Sequence, residues 1–144
     1  MKTVYICSPY RGSAEEIAEN VRVAQKACKI ALMCGHAPVA PHLYLPPLLS
    51  DEIPAERAVA IEVCSKLVSL CDIVWVIGSN LTDGMRSEID FANYLGKRII
   101  KISLEELEFL SANQSDENSE TFFFMATSSE DKEDHLKNII LKIF

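Results

Sequence analysis

No stretch of the 144 residues approaches the ~20 consecutive apolar positions that a bilayer-spanning helix needs, so a membrane is not an expected partner. Basic residues are few: 14 Lys and Arg stand against 21 Asp and Glu, for a net charge of -7. A sequence-independent nucleic-acid binder needs a basic face, so nucleic acid is not an expected partner either. A small nucleotide stays open, because one or two placed cations are enough for a phosphate. The five cysteines (7, 28, 34, 64 and 71) form no CxxC pair and no zinc spacing. His36, His42 and His135 show no ligand spacing, and no metal or other cofactor is expected. An odd cysteine count without a signal peptide points to a reducing cytoplasm, with the thiols acting as small hydrophobes. With no internal repeat and no domain boundary, the expectation is one domain over 1–144, in which 111–135 form a variable, partly exposed segment.

What is present is an alternation of apolar runs and amphipathic stretches. Thr3 to Cys7 reads as a buried strand. Ser13 with Glu16 three residues on has the form of a capping box, opening a helix with Ile17, Val21, Ala24, Cys28 and Ala31 on one stripe and Gly35 at its end. Its acids come early and its bases (Arg22, Lys26, Lys29) late, as the helix dipole favours. His36 to Ala40 is a second, weaker strand, followed by a proline-rich loop to Asp51 that is long enough to suggest a function. Pro54 suits the first turn of a second helix to about residue 70, with Ala58, Ile61, Cys64, Leu67 and Cys71 as its core face. Asp72 to Ile77 is the third strand, a helix with Met85, Ile89 and Ala92 on one face runs to Gly96, and 97–102 is the fourth strand. Leu104 to Leu110 suits a short helix. Residues 111–120 read as an exposed polar loop, Phe122 to Met125 as a fifth strand or a subunit surface, and Ser129 to Phe144 as a closing helix. Such alternation implies an α/β fold with a doubly wound parallel sheet of four or five strands.

In a right-handed parallel sheet the strand C-termini share one edge, and ligands bind in the crevice beyond it. The residues past strand one (Ser8, Tyr10, Arg11, Gly12), strand two (Pro41, His42) and strand three (Gly78, Asp83, Gly84, Met85, Glu88) therefore converge, with Tyr5 near them. A strand, a glycine turn and a helix N-terminus aim backbone N–H groups at a ligand. Glu88 has a plain alternative, since acids in a first helical turn are favoured by the dipole alone. Asp83 is equally a natural N-cap. Arg11 before Gly12 suits a phosphate or a surface charge, and His42 a base or a structural loop residue. Asp72 begins strand three and lies at the opposite edge, where capping suits it. Arg57 and Glu62 of helix two sit near a possible ligand, but as residues of an amphipathic helix they read as its solvated face.

Three stretches, 3–12, 71–78 and 83–88, together resemble the nucleoside 2-deoxyribosyltransferase superfamily, which includes the 2′-deoxynucleoside 5′-phosphate N-hydrolases. The match is closer to a small branch of bacterial and phage proteins with Ser-Pro-Tyr-Arg-Gly and Pro-His-Leu-Tyr loops, and it covers about the first hundred residues. The resemblance implies a flavodoxin-like fold and cleavage of N-glycosidic bonds. It makes Glu88 the nucleophile, Tyr5 the residue that positions it, Arg11 and Gly12 part of a nucleotide phosphate loop, and Asp83, offset by one position, a base contact. It also implies a homodimer or higher homo-oligomer, since relatives complete their sites with a neighbouring subunit. Cys64 stands where the superfamily has an aspartate in helix two, Arg86 stands where glycine is common, and the C-terminal third does not match.

The expected activity is therefore N-glycosidic cleavage of a (deoxy)nucleoside 5′-monophosphate or nucleoside, by hydrolysis or base exchange. The alternatives are a non-catalytic nucleotide- or nucleotide-sugar-binding module and a structural partner protein using the Phe122–Met125 patch.

Overall fold

A computed structural model of the chain describes residues 1–112, 138 and 141–143. The elements run β1 (Thr3–Cys7), α1 (Ala14–Met33), β2 (Ala37–Val39), a 3-10 turn (Pro41–Leu43), α2 (Pro54–Leu70), β3 (Ile73–Ile77), α3 (Asp83–Tyr94), β4 (Arg98–Ile102) and α4 (Leu104–Ala112). The fifth strand or subunit surface at Phe122–Met125, most of the polar loop and most of the closing helix lie outside the described residues. Residues 138 and 141–143 are helical, and Ile143 is buried.

All strand pairs are parallel, in the order β2-β1-β3-β4. The chain leaves β1 for β2 on one side, then crosses to β3 on the other. The loops after β1 and β3 thus diverge, and that divergence opens a crevice at the C-terminal sheet edge.

Side chains alternate across a strand, and this alternation builds two cores. Val4, Ile6, Ile73, Trp75 and Ile77 pack under α1 and α4. Tyr5, Cys7, Val74 and Val76 pack under α2 and α3, against Val68, Met85 and Ala92. The two-residue period thus sends Tyr5 to the face on which α3 lies.

The Ser13 capping box forms as expected: Ser13 N–H donates to Glu16 at 2.6 Å and Glu16 N–H to Ser13 Oγ at 3.2 Å. Asp72 accepts from the Thr3 backbone N–H (2.7 Å) and hydroxyl (2.9 Å), tying the starts of β1 and β3 at the edge away from the crevice.

Several expectations are corrected. The second strand is three residues long, and the proline-rich loop begins as a 3-10 turn. In α1 the buried stripe is Val23, Ala24, Ala27, Ile30 and Ala31, so Ile17 and Val21 mark only its edge, and no base occupies the last turn. In α2 only Val68 is fully buried, while Ala58 is exposed and Ile61 is 57% exposed. The physical reason is that the α2 face turned toward the sheet overhangs the crevice.

Lys97, between α3 and β4, donates to the carbonyls of Ser69 (2.7 Å) and Cys71 (2.8 Å) and so satisfies the C-terminal end of α2. Lys97→Met should lower the unfolding free energy by about 1–3 kcal/mol, the range for hydrogen bonds from a charged donor. Urea denaturation reads this, and a loss below ~0.5 kcal/mol would mean the capping is unimportant.

Candidate functional site

A cleft of about 470 Å³ opens where the loops after β1 and β3 part, within the usual size range of small-molecule sites. The loop after β1 contributes Ser8, Tyr10 and Arg11, the segment after β2 His42 and Asp51, and the start of α3 Asp83, Gly84, Met85 and Glu88. Helix α2 forms one wall.

At its floor the Tyr5 hydroxyl donates to Glu88 Oε1 at 2.9 Å. Tyr5 is fully buried, and burial together with the neighbouring Glu88 charge pushes its phenol far above the usual range. It therefore remains a hydrogen-bond donor at any physiological pH. Glu88 Oε2 is buried and has no hydrogen-bond partner among the described residues. Ser8 Oγ, in a residue only 1% exposed, is in the same condition at the same cleft. Native proteins rarely leave buried polar atoms unpaired, and two such atoms at one cavity invite hydroxyl groups from a ligand.

Two thiols flank the pair. Cys7 Sγ contacts the Met85 carbonyl oxygen at 3.8 Å, and burial first, then Glu88, pushes its thiol far up. Cys64 lines the cleft. Burial pushes its thiol up to about 11, with the Tyr5 hydroxyl opposing and Glu88 and Asp51 adding. It is therefore a neutral thiol at pH 7.

At the mouth, Arg11 Nε lies 2.9 Å from Asp51 Oδ2, each side chain about half exposed. Tyr10 and His42 stack, with ring centroids 6.0 Å apart at 17°. Burial lowers the His42 pKa against the opposing pull of Glu88 and Asp51, so at neutral pH the imidazole is uncharged.

Most of the sequence-predicted residues thus meet at one cavity, but three details differ. The N-cap of α3 is Thr82, not Asp83: its hydroxyl accepts from Met85 N–H at 3.2 Å, which occupies that donor. Asp83 sits one position later, on the rim. Gly78 lies outside the cleft lining; its φ of +84° turns the chain out of β3 and its N–H donates to the Ile102 carbonyl, on the β4 side. Gly12 lines a shallower neighbouring hollow. A Cβ there would stand 2.5 Å from Glu16 Oε2, so this glycine makes room for the α1 capping box.

Sequence reasoning also passed over part of the wall. Arg57, Ala60, Ile61, Cys64, Ser65 and Val68 all line the cleft. Their spacing of three and four residues puts them on one helical face. That spacing was legible, but a helical stripe carries no label saying whether it meets a core or a cavity.

A family model described as Domain of unknown function (DUF7768) matches residues 2–102. No curated protein matches the chain. Among solved structures, a 2-deoxyribosyltransferase from the psychrotolerant bacterium Bacillus psychrosaccharolyticus superposes with a TM-score of 0.58 at 22% identity, over 70% of this chain and 72% of that one. The CMP N-glycosidase of Clostridium botulinum aligns with a TM-score of 0.48 at 14% identity, over 76% and 82%. The first likeness shows a shared fold.

Proposed function

The chain belongs to the DUF7768 family, a domain of unknown function, and we propose that it cleaves the N-glycosidic bond of a (deoxy)nucleoside or its 5′-monophosphate. The observation that carries this reading is the Tyr5–Glu88 pair, with one carboxylate oxygen held by the phenol and the other buried, unpartnered and at a sugar-sized cavity. The fold shared with a 2-deoxyribosyltransferase adds support.

Scission of an N-glycosidic bond passes through an oxocarbenium-like state, which an anion beneath the sugar stabilises. Tyr5 fixes Oε1, so Oε2 is the oxygen that bonds to the anomeric carbon as the C–N bond breaks and its electron pair leaves with the base. Ser8 Oγ pairs with a sugar hydroxyl. The departing nitrogen needs a proton. His42 is uncharged at neutral pH and so accepts rather than supplies one, which leaves water as the source, its proton passed to the departing nitrogen directly or through the Asp83 carboxylate on the rim. Attack of water on the glycosyl ester regenerates Glu88 and completes hydrolysis; attack by a second base completes transfer.

The test is release of free base, followed by chromatography, from a panel of deoxynucleosides, ribonucleosides and their 5′-monophosphates. Base accumulating with time from at least one of them is the expected result, and none from any would end the reading.

One observation favours a second reading. Cys64 stands where the resemblance has an aspartate, and its neutral thiol offers the cleft no second buried carboxylate. Nucleotide binding by calorimetry without turnover would select a non-catalytic sensor module.

A further inference from the structure

The mouth of the cleft carries two guanidinium groups, and they are not equivalent. Arg11 is held by Asp51, whose Oδ2 takes its Nε at 2.9 Å. A phosphate approaching Arg11 therefore meets a carboxylate as well. Arg57, on the first turn of α2, has no ion pair and no side-chain hydrogen bond among the described residues. The acid next to it in sequence, Glu56, is committed elsewhere, accepting the Ser50 N–H at 2.5 Å. In a chain of net charge -7, Arg57 is thus, among the described residues, the uncompensated cation at the cavity.

Its height along α2 is also informative. Arg57, Ile61, Cys64 and Val68 follow one another up the cleft wall. Cys64 lies at the level of the Tyr5–Glu88 pair, near enough for the charge and hydroxyl of those groups to act on its thiol. Arg57 lies seven residues before it, about 10 Å along the helix axis. A sugar whose anomeric carbon sits on Glu88 Oε2 then has one end of its molecule reaching toward Arg57, across the apolar side chain of Ile61.

We propose that Arg57 anchors the phosphate monoester of the substrate, which makes that substrate a nucleoside 5′-monophosphate rather than a free nucleoside; the proposal rests on the N-glycosidase reading above. The guanidinium presents a planar fork of donors that matches two phosphate oxygens. Arg11, tied to Asp51, closes the mouth and contributes less.

The experiment is calorimetric titration of the full chain with the four deoxynucleoside 5′-monophosphates and, separately, the four nucleosides. The readout is the ratio of their affinities in the wild type and in Arg57→Gln, Arg57→Lys and Arg11→Gln. The wild type is expected to prefer a monophosphate, and Arg57→Gln to reduce that preference by about 10- to 100-fold, the range for a charge-assisted contact. Arg57→Lys, which keeps the charge without the fork, should fall between them, and Arg11→Gln should cost less than Arg57→Gln. Circular dichroism confirms that each variant is folded, as expected for exposed positions. Equal wild-type affinity for monophosphate and nucleoside overturns the proposal, as does an Arg57→Gln ratio like that of wild type, or a larger loss in Arg11→Gln. If base is still released in those cases, only the assignment of Arg57 fails. If no ligand binds and no base is released, the N-glycosidase reading falls with it.

Discussion

Glu88→Gln should reduce base release by at least ~10³-fold, the scale on which removal of a covalent nucleophile acts, and leave the melting temperature close to that of wild type. The substitution keeps the shape of the side chain, and its amide oxygen still accepts from the Tyr5 hydroxyl that now meets Glu88 Oε1 at 2.9 Å. What it removes is the negative charge and the oxygen proposed as nucleophile. Glu88→Ala should abolish activity equally, but it also removes the carboxylate that accepts from the hydroxyl of the fully buried Tyr5. A larger stability loss is therefore expected for Ala than for Gln, about 1–3 kcal/mol for an unsatisfied buried hydroxyl. The comparison separates chemistry from architecture. Steady-state rates on whichever substrate the panel identifies decide it, and a Gln variant within tenfold of wild type would exclude Glu88 as nucleophile.

Trp75→Ala should destabilise the protein by about 3–5 kcal/mol, as large aromatic truncations in a packed core do. Trp75 is the central residue of β3, with Ile6 beside it in β1 and Ile100 in β4, and it is fully buried. His36 meets its ring edge-on at 6.3 Å. Its Nε1 has no partner among the described residues, so the loss is one of packing and apolar burial with no hydrogen bond to offset it. Against a typical total of 5–15 kcal/mol, that is about a fifth of the stability or more. At roughly 2–4 °C per kcal/mol for a domain of this size, the melting temperature should fall by on the order of 10 °C. Denaturant unfolding measures it, and a change below ~1 kcal/mol would show that the site collapses around the missing ring.

The two variants report on opposite faces of one sheet. Trp75 belongs to the layer under α1 and α4, and Tyr5 to the layer under α2 and α3. Core truncation in the first layer is thus expected to lower stability without moving the Tyr5–Glu88 pair, and substitution at Glu88 to stop chemistry with the first layer intact.

The elements that the sequence displays most plainly are those whose signals are local. The Ser13–Glu16 capping box, the apolar run of β3 and the glycines that close α1 and α3 each depend on a few neighbouring residues. Their physics (capping, burial on both faces, positive φ) does not need the rest of the fold. Convergence of the β1, β2 and β3 ends follows almost as directly, because parallel strands with right-handed connections leave no other edge for those loops. That logic alone brings Tyr5 and Glu88 to one crevice.

Other features depend on which neighbour a residue meets. Thr82 and Asp83 are both good caps, and the choice between them depends on where the chain leaves the β3 turn. Gly78 looked like part of a ligand loop, yet its turn leans toward β4. Arg57 and Cys64 sit on a stripe with ordinary helical spacing, and only the tilt of α2 over the divergent loops makes that stripe a cavity wall. The Arg11–Asp51 pair joins residues forty apart, which no pattern along the chain announces.

Alone, then, the sequence determined an α/β sheet, the order of its elements and the edge at which the cleft opens, because periodicity and strand handedness act at short range. Tertiary structure alone decided, among the described residues, which carboxylate oxygen is held and which is bare, which arginine is neutralised and which is not. Those outcomes are set by contacts between segments far apart in the chain, where a shift of a few ångströms exchanges one partner for another.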